Sequence, residues 1–413
     1  MKVKLVPFNA AGTVSAPPSK SFAHRYVIAA FLSGKKCVIE NVGNSDDVNA
    51  TIGALKSLGG IIERKGDDVI VSGRVPVVHA VVDCRESGST LRFLLPVAAA
   101  LGISAEFTGG GRLMSRPVED LTSSLNGHGV VVTGHRISGK LESGKYYLDA
   151  SLSSQFVTGM LFALSAIEGE SEIVLKGEKV SKGYIDITVS VLKEFGIKIE
   201  ETATGYKVSG GYNPPEKVNV EGDWSGAAFP LAIGALTGKV TVKNLKYPTL
   251  QADGAIIGIL KKFGAEVSVS KGAVTVKKAA LNGIDEINCE NFPDIAQVIC
   301  SVAAFAKGKT RLTGVERLKI KESDRIAAII NTLKSCGIKA EYDGIALTVY
   351  GGTPKGGKFD GGKDHRTVMS AAVIGAAAAD GVSEITEAEY CAKSYPDFFK
   401  DIKRLGGKVD VGI

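Results

Sequence analysis

The sequence predicts an α/β (α+β) protein of two similar domains, each built from three βαβαββ units with buried apolar helices. Three observations predict it. A sequence pattern recurs six times at intervals of 67 to 73 residues, the recurring helices include several that are apolar nearly all round, and 413 residues exceed what one core usually fills.

The first mark of the repeat is a leucine or isoleucine followed four residues later by glycine: Leu55 to Gly59, Leu125 to Gly129, Leu192 to Gly196, Leu260 to Gly264, Leu333 to Gly337 and Ile402 to Gly406. Each glycine reads as the left-handed residue that stops a helix, and alternating stretches such as Ala265-Glu266-Val267-Ser268-Val269 follow as strands. The second mark is an alanine-rich helix ending on Gly34, Gly102, Gly169, Gly238, Gly308 or Gly381. Such helices, Met369 to Ala379 among them, belong under sheets, with the more polar helices outside. Six units split three and three. The predicted domains are 14–222 and 1–13 plus 223–413, with the strand Val3 to Leu5 pairing in the second and the active site in a cleft between them.

Composition narrows the function classes. A net charge of +6, from 50 basic against 44 acidic residues, comes without a polybasic run, which favours a small anionic ligand over nucleic acid or membrane. The N-terminus lacks a signal-peptide apolar region, so the expected location is the cytoplasm. The six cysteines (37, 84, 289, 300, 336, 391) form no CxxC pair and read as reduced, mostly buried thiols.

Chemistry concentrates at the helix starts. The six apolar helices open on Ser19-Lys20-Ser21, Ser87-Gly88-Ser89-Thr90, Ser153-Ser154-Gln155, Asp223-Trp224-Ser225, Asp294-Ile295 and Asp364-His365-Arg366, mostly good N-caps. Capping does not require Lys20, Arg25, Arg92 or Arg366. The polar helices are expected to open on Ser115-Arg116-Pro117, Ser181-Lys182-Gly183-Tyr184, Lys321-Glu322-Ser323-Asp324-Arg325 and Lys393-Ser394-Tyr395-Pro396. The helix dipole opposes a cation in a first turn, so each needs a partner, and a bound anion is one. A salt-bridge network around Lys321 and Arg325, placed at i and i+4 on one helical face, is the alternative for that segment.

These motifs, in this order, resemble the enolpyruvyl transferases, in the branch acting on shikimate-3-phosphate: Lys20-Ser21 with Arg25, Ser45-Asp46-Asp47, Gly88 with Arg92, Arg116-Pro117, Ser153-Ser154-Gln155, Ser181 with Tyr184, Asp294, Lys321-Glu322 with Arg325, Asp364-His365-Arg366 and Lys393. The resemblance implies the enolpyruvyl transferase fold, two inside-out α/β-barrel-like domains closing on their substrates. It implies that Lys20, Ser21, Arg25, Ser153, Ser154, Gln155, Ser181, Tyr184, Asp294 and Lys321 hold shikimate-3-phosphate. Lys20, Gly88, Arg116, Gln155, Arg325, Arg366 and Lys393 would hold phosphoenolpyruvate. Lys20, Asp294 and Glu322 would move protons, with His365 orienting Glu322.

Neither metal nor organic cofactor is implied, a monomer is expected, and glyphosate would compete where Gly88 lets the backbone approach. Glu86, Phe93 and Arg317 depart from residues other members carry. The sister branch, acting on UDP-N-acetylglucosamine, places a reactive cysteine where this chain has Gly111. A repeat-built RNA-binding or RNA-end-processing protein would need a basic, aromatic-interleaved groove that one Trp and dispersed cations do not supply.

Overall fold

The computed structural model describes residues 1–177 and 180–412. Among these the chain divides into two compact units, residues 18–220 and residues 1–17 with 221–413. Each unit carries three four-stranded sheets among its described residues, and each has a hydrophobic cluster of its own.

One repeat shows why the sequence folds as it does. The strand His79–Asp83 leads into the helix Gly88–Ala100, then the strand Ser104–Thr108, the helix Glu119–Leu125 and the hairpin Val130–Thr133 with Arg136–Gly139. The first two strands pair in parallel because a helix crosses between them, and the last two are antiparallel because a tight turn joins them. Every sheet repeats this pairing, one parallel pair and two antiparallel ones. In the hairpin read from sequence, Val267 pairs with Val276.

One sheet in the unit 18–220 and two in the other are completed by segments distant in sequence. Within 18–220, Lys217–Asn219 pairs in parallel with Cys37–Glu40. In the other unit, Lys2–Leu5 pairs antiparallel with both Ser383–Ile385 and Val409–Gly412. The strand Ala11–Ser15 runs across residue 14, the expected domain limit, and pairs along its whole length with Lys239–Lys243.

The helix stops follow the sequence pattern. Gly59, Gly129, Gly196, Gly264, Gly337 and Gly406 all have positive φ, between 77° and 109°. Gly238 is the exception in the second set, with an extended φ; a Cβ there would lie 2.0 Å from the Ala10 carbonyl oxygen, so close backbone approach is what demands glycine. The helices Lys20–Ser33, Trp224–Thr237 and His365–Ala377 are buried along nearly their whole length. For Trp224–Thr237, burying Phe229, Leu231 and Ile233 contributes about 1.5–3 kcal/mol per side chain. All six cysteines are free and buried.

Candidate active site

In each unit several of the predicted residues lie at helix starts, and others lie in the turns and extended segments between elements. In the unit 18–220, Lys20 is the first residue of its helix and its Nζ lies 2.8 Å from Asp47 Oδ2. Ser19 precedes it but caps nothing through its side chain. One turn into this helix Arg25 is buried: its Nε donates to Thr188 Oγ1 (2.7 Å), Nη1 to the Ser21 carbonyl (2.7 Å) and Nη2 to the Tyr184 carbonyl (3.0 Å). The Phe93 ring lies 5.1 Å from the guanidinium carbon. Every one of these partners is neutral. Burial accordingly lowers the Arg25 pKa to about 9, with Tyr184 opposing the shift.

Behind Lys20 and Arg25 runs a buried line of hydroxyls. His24 Nδ1 is 2.7 Å from Thr51 Oγ1, which is 2.7 Å from Thr90 Oγ1, and Thr90 in turn donates to Ser87 Oγ at 2.8 Å. Burial, then Lys20 and Arg25, hold the His24 pKa well below its usual value, so the ring is neutral. Ser87 caps the helix that opens on Gly88 by accepting from the Thr90 amide. A Cβ on Gly88 would come within 2.7 Å of Arg116 Nη1, so the bare glycine makes room for that guanidinium.

Arg92 donates to Gln155 Oε1 at 2.7 Å and to the Pro117 carbonyl at 2.9 Å, and Gln155 Nε2 donates to Ser89 at 3.0 Å. Ser153 caps the helix Ser154–Ser165, which sets Ser154 and Gln155 in its first turn. Ser181 opens the helix Lys182–Glu194 in the left-handed region at φ 52°, a strained backbone for a serine, and is buried.

The unit 1–17 with 221–413 is arranged differently. Asp294 lies in the short 3-10 turn Pro293–Ile295, with Oδ1 3.3 Å from Arg325 Nη1 and Oδ2 3.0 Å from Arg366 Nη2. Arg325 also meets Glu322 at 2.9 Å and Asp364 at 2.8 Å. Burial alone would lower the Arg325 pKa, but Asp364, Glu322 and Asp294 more than offset it and the pKa is raised. Asp364 is buried, and it also caps the helix His365–Ala377 by accepting from the Arg366 amide. His365 Nδ1 is 3.7 Å from Asp364 Oδ1, and Lys393 is buried at the end of the 3-10 turn Ala388–Lys393.

Several expected placements are corrected. Lys321 and Arg325 do not share a helical face, because the helix begins at Arg325 under an Asp324 cap and Lys321 is extended. Arg116 follows the 3-10 turn Leu113–Ser115 in extended backbone, and Lys393 closes a turn, so neither opens a helix. Asp294 is not a cap residue: it lies inside the 3-10 turn whose cap position is Phe292, and the helix that follows starts after Ile295. The binding and catalytic sets implied by the resemblance leave out Asp364 and Thr188, which hold the buried Arg325 and Arg25. The first carried a signal, a cap aspartate next to an arginine; the second carried none, lying 163 residues from the arginine it binds.

The family model described as EPSP synthase (3-phosphoshikimate 1-carboxyvinyltransferase) matches residues 7–402. The chain belongs to the EPSP synthase family. A 3-phosphoshikimate 1-carboxyvinyltransferase from Clostridium kluyveri is 38% identical over 423 residues, covering 99% of this chain and 98% of that protein. Its counterpart from Clostridium novyi is 36% identical over 432 residues, with the same coverage. Among solved structures, an EPSP synthase from Acinetobacter baumannii superimposes with a TM-score of 0.83 at 25% identity, covering 99% of this chain and all of that one. The EPSP synthase relatives thus span both units.

Proposed function

We propose that this enzyme transfers the enolpyruvyl group of phosphoenolpyruvate to the 5-hydroxyl of shikimate-3-phosphate, releasing phosphate through a tetrahedral intermediate. The observation that carries the site assignment is Arg25, a buried cation whose hydrogen-bond partners among the described residues are neutral oxygens. A charge held out of water without a counter-charge favours an anion strongly, and a sugar phosphate supplies about −1.5 to −2 charges.

The residues assigned to shikimate-3-phosphate are Lys20, Ser21, Arg25, Ser153, Ser154, Gln155, Ser181, Tyr184, Asp294 and Lys321. Those assigned to phosphoenolpyruvate are Lys20, Gly88, Arg116, Gln155, Arg325, Arg366 and Lys393. Two planar guanidiniums suit a carboxylate and a phosphate, each gripped through paired N–H donors.

The reaction needs a proton delivered to the methylene carbon, attack by the sugar hydroxyl on the adjacent carbon, and then departure of phosphate with return of the methylene proton. Asp294 takes the hydroxyl proton, its carboxylate oriented by Arg325 and Arg366. Lys20 and Glu322 carry the methylene proton in and out, and His365, buried against Asp364, steadies this corner. Fixed charges stabilise the developing cation and the leaving phosphate.

The test is phosphate release by purified enzyme given phosphoenolpyruvate with either acceptor. Release with shikimate-3-phosphate and not with UDP-N-acetylglucosamine is expected; the reverse pattern would sink the substrate assignment.

A further inference from the structure

Asp253 lies in the 3-10 turn Ala252–Ala255 and is buried. Its Oδ2 accepts from Ser225 Oγ, in the first turn of the helix Trp224–Thr237, and its Oδ1, also buried, has no hydrogen-bond partner among the described residues. In order of strength, the charges acting on it are Asp294, Arg366 and Asp223. Asp223 is already committed to capping its helix, and Asp294 is held by Arg325 and Arg366. An ionised carboxylate with one buried, unbonded oxygen is the costlier form, and it also repels its neighbour Asp294.

The two arginines already meet Asp294, Glu322 and Asp364 directly. A substrate carboxylate arriving at Arg366 adds negative charge where acids are crowded, and something must offset it.

We propose that Asp253 is a positioning residue that takes up a proton from solvent on Oδ1 when the carboxylate of phosphoenolpyruvate occupies Arg366. The carboxylate becomes a neutral acid, one negative charge leaves the cluster, and Asp294 keeps its place on Arg325 as the base. Binding of the anion and protonation of Asp253 therefore favour each other, as linkage requires. The resting pKa supports this role: burial first, then Asp294, raise it to about 7, against the pull of Arg366 and Ser225, so the proton is available near neutrality. The inference rests on the placement of phosphoenolpyruvate at Arg366.

The experiment is steady-state kinetics from pH 5.5 to 9 on the whole enzyme with both substrates. In the wild type, KM for phosphoenolpyruvate rises with pH above about 7, by at most about tenfold per pH unit, the limit for one linked proton. In Asp253→Asn, which is permanently neutral, that rise is gone while kcat keeps its own pH profile. Persistence of the rise overturns the proposal.

Should Asp253→Asn fail to fold, Ser225→Ala serves. It removes the hydrogen bond that holds the Asp253 pKa down, so the inflection moves to higher pH; an unmoved inflection overturns the proposal equally. Arg366→Met separates the two layers. An unchanged KM for phosphoenolpyruvate in that variant refutes the placement of substrate at Arg366, whereas a raised KM together with a persistent pH dependence in Asp253→Asn refutes only the role of Asp253.

Discussion

Arg25 and Arg325 are both buried arginines near the starts of helices, yet their surroundings are opposite. Arg25 is surrounded by hydroxyls, carbonyls and a phenyl face, and burial lowers its pKa to about 9. Arg325 sits among Asp294, Glu322 and Asp364, which raise its pKa despite burial. One unit therefore holds a cation that lacks a charge partner. The other holds a cation whose charge the protein has already answered. The first is built to gain from a bound anion, and the second to orient acids and bases and to surrender part of that order when substrate arrives.

The largest expected effect tests the second half. Asp294→Ala lowers turnover by roughly 10²- to 10⁴-fold, the usual contribution of a positioned base, with the circular dichroism spectrum unchanged. Near-normal phosphate release would remove Asp294 from the chemistry. Next, the contrast in stability: Arg325→Met leaves the buried Asp364 carboxylate uncompensated and costs about 3–5 kcal/mol in denaturant unfolding. Arg25→Met strands only neutral groups and costs much less, so equal losses in the two variants would erase the distinction.

In ligand binding the order reverses. Arg25→Met weakens shikimate-3-phosphate by roughly ten- to a hundredfold, from about 1.5–3 kcal/mol for charge-assisted hydrogen bonds. Gly88→Ala is milder: the new Cβ displaces the mobile end of Arg116, raising KM for phosphoenolpyruvate several-fold, up to roughly tenfold for about 1.4 kcal/mol, while thermal stability holds. A large fall in melting temperature would instead mean that the helix itself had moved.

The smallest effect is a pH dependence. His24 has a lowered folded pKa, so below its ordinary value of 6.5 the unfolded chain binds a proton that the folded chain refuses. Its contribution is intact above pH 6.5 and is lost as pH falls toward the folded value. Thermal melts of His24→Gln against wild type should converge or cross as pH drops from 7 to 5. Parallel curves would mean that the ring is not held neutral.

Much of this was legible in the chain. The glycine marks stop helices because a left-handed residue is cheap only without a Cβ, and that local rule needs no tertiary information. The apolar helices announced their burial, and Ser87, Ser153, Asp223 and Asp364 announced their caps. Less legible was the exact start of the polar elements. Arg116, Lys321 and Lys393 lie in extended backbone or at the end of a 3-10 turn, because Pro117, the Asp324 cap and Pro396 delay the helices that follow.

What the sequence determined by itself is therefore periodic and local: the repeat, the helix stops, the caps, and the concentration of cations near helix starts. Which cation meets which neighbour was decided only in three dimensions. Arg25 binds Thr188 and packs on Phe93, and the turns carrying Asp253 and Asp294 pack on one helix, Trp224–Thr237, across separations of dozens of residues or more. No short-range pattern encodes such encounters, because the sheets and helices that bring the residues together are assembled by burial of apolar surface, which is indifferent to the charges it carries inward.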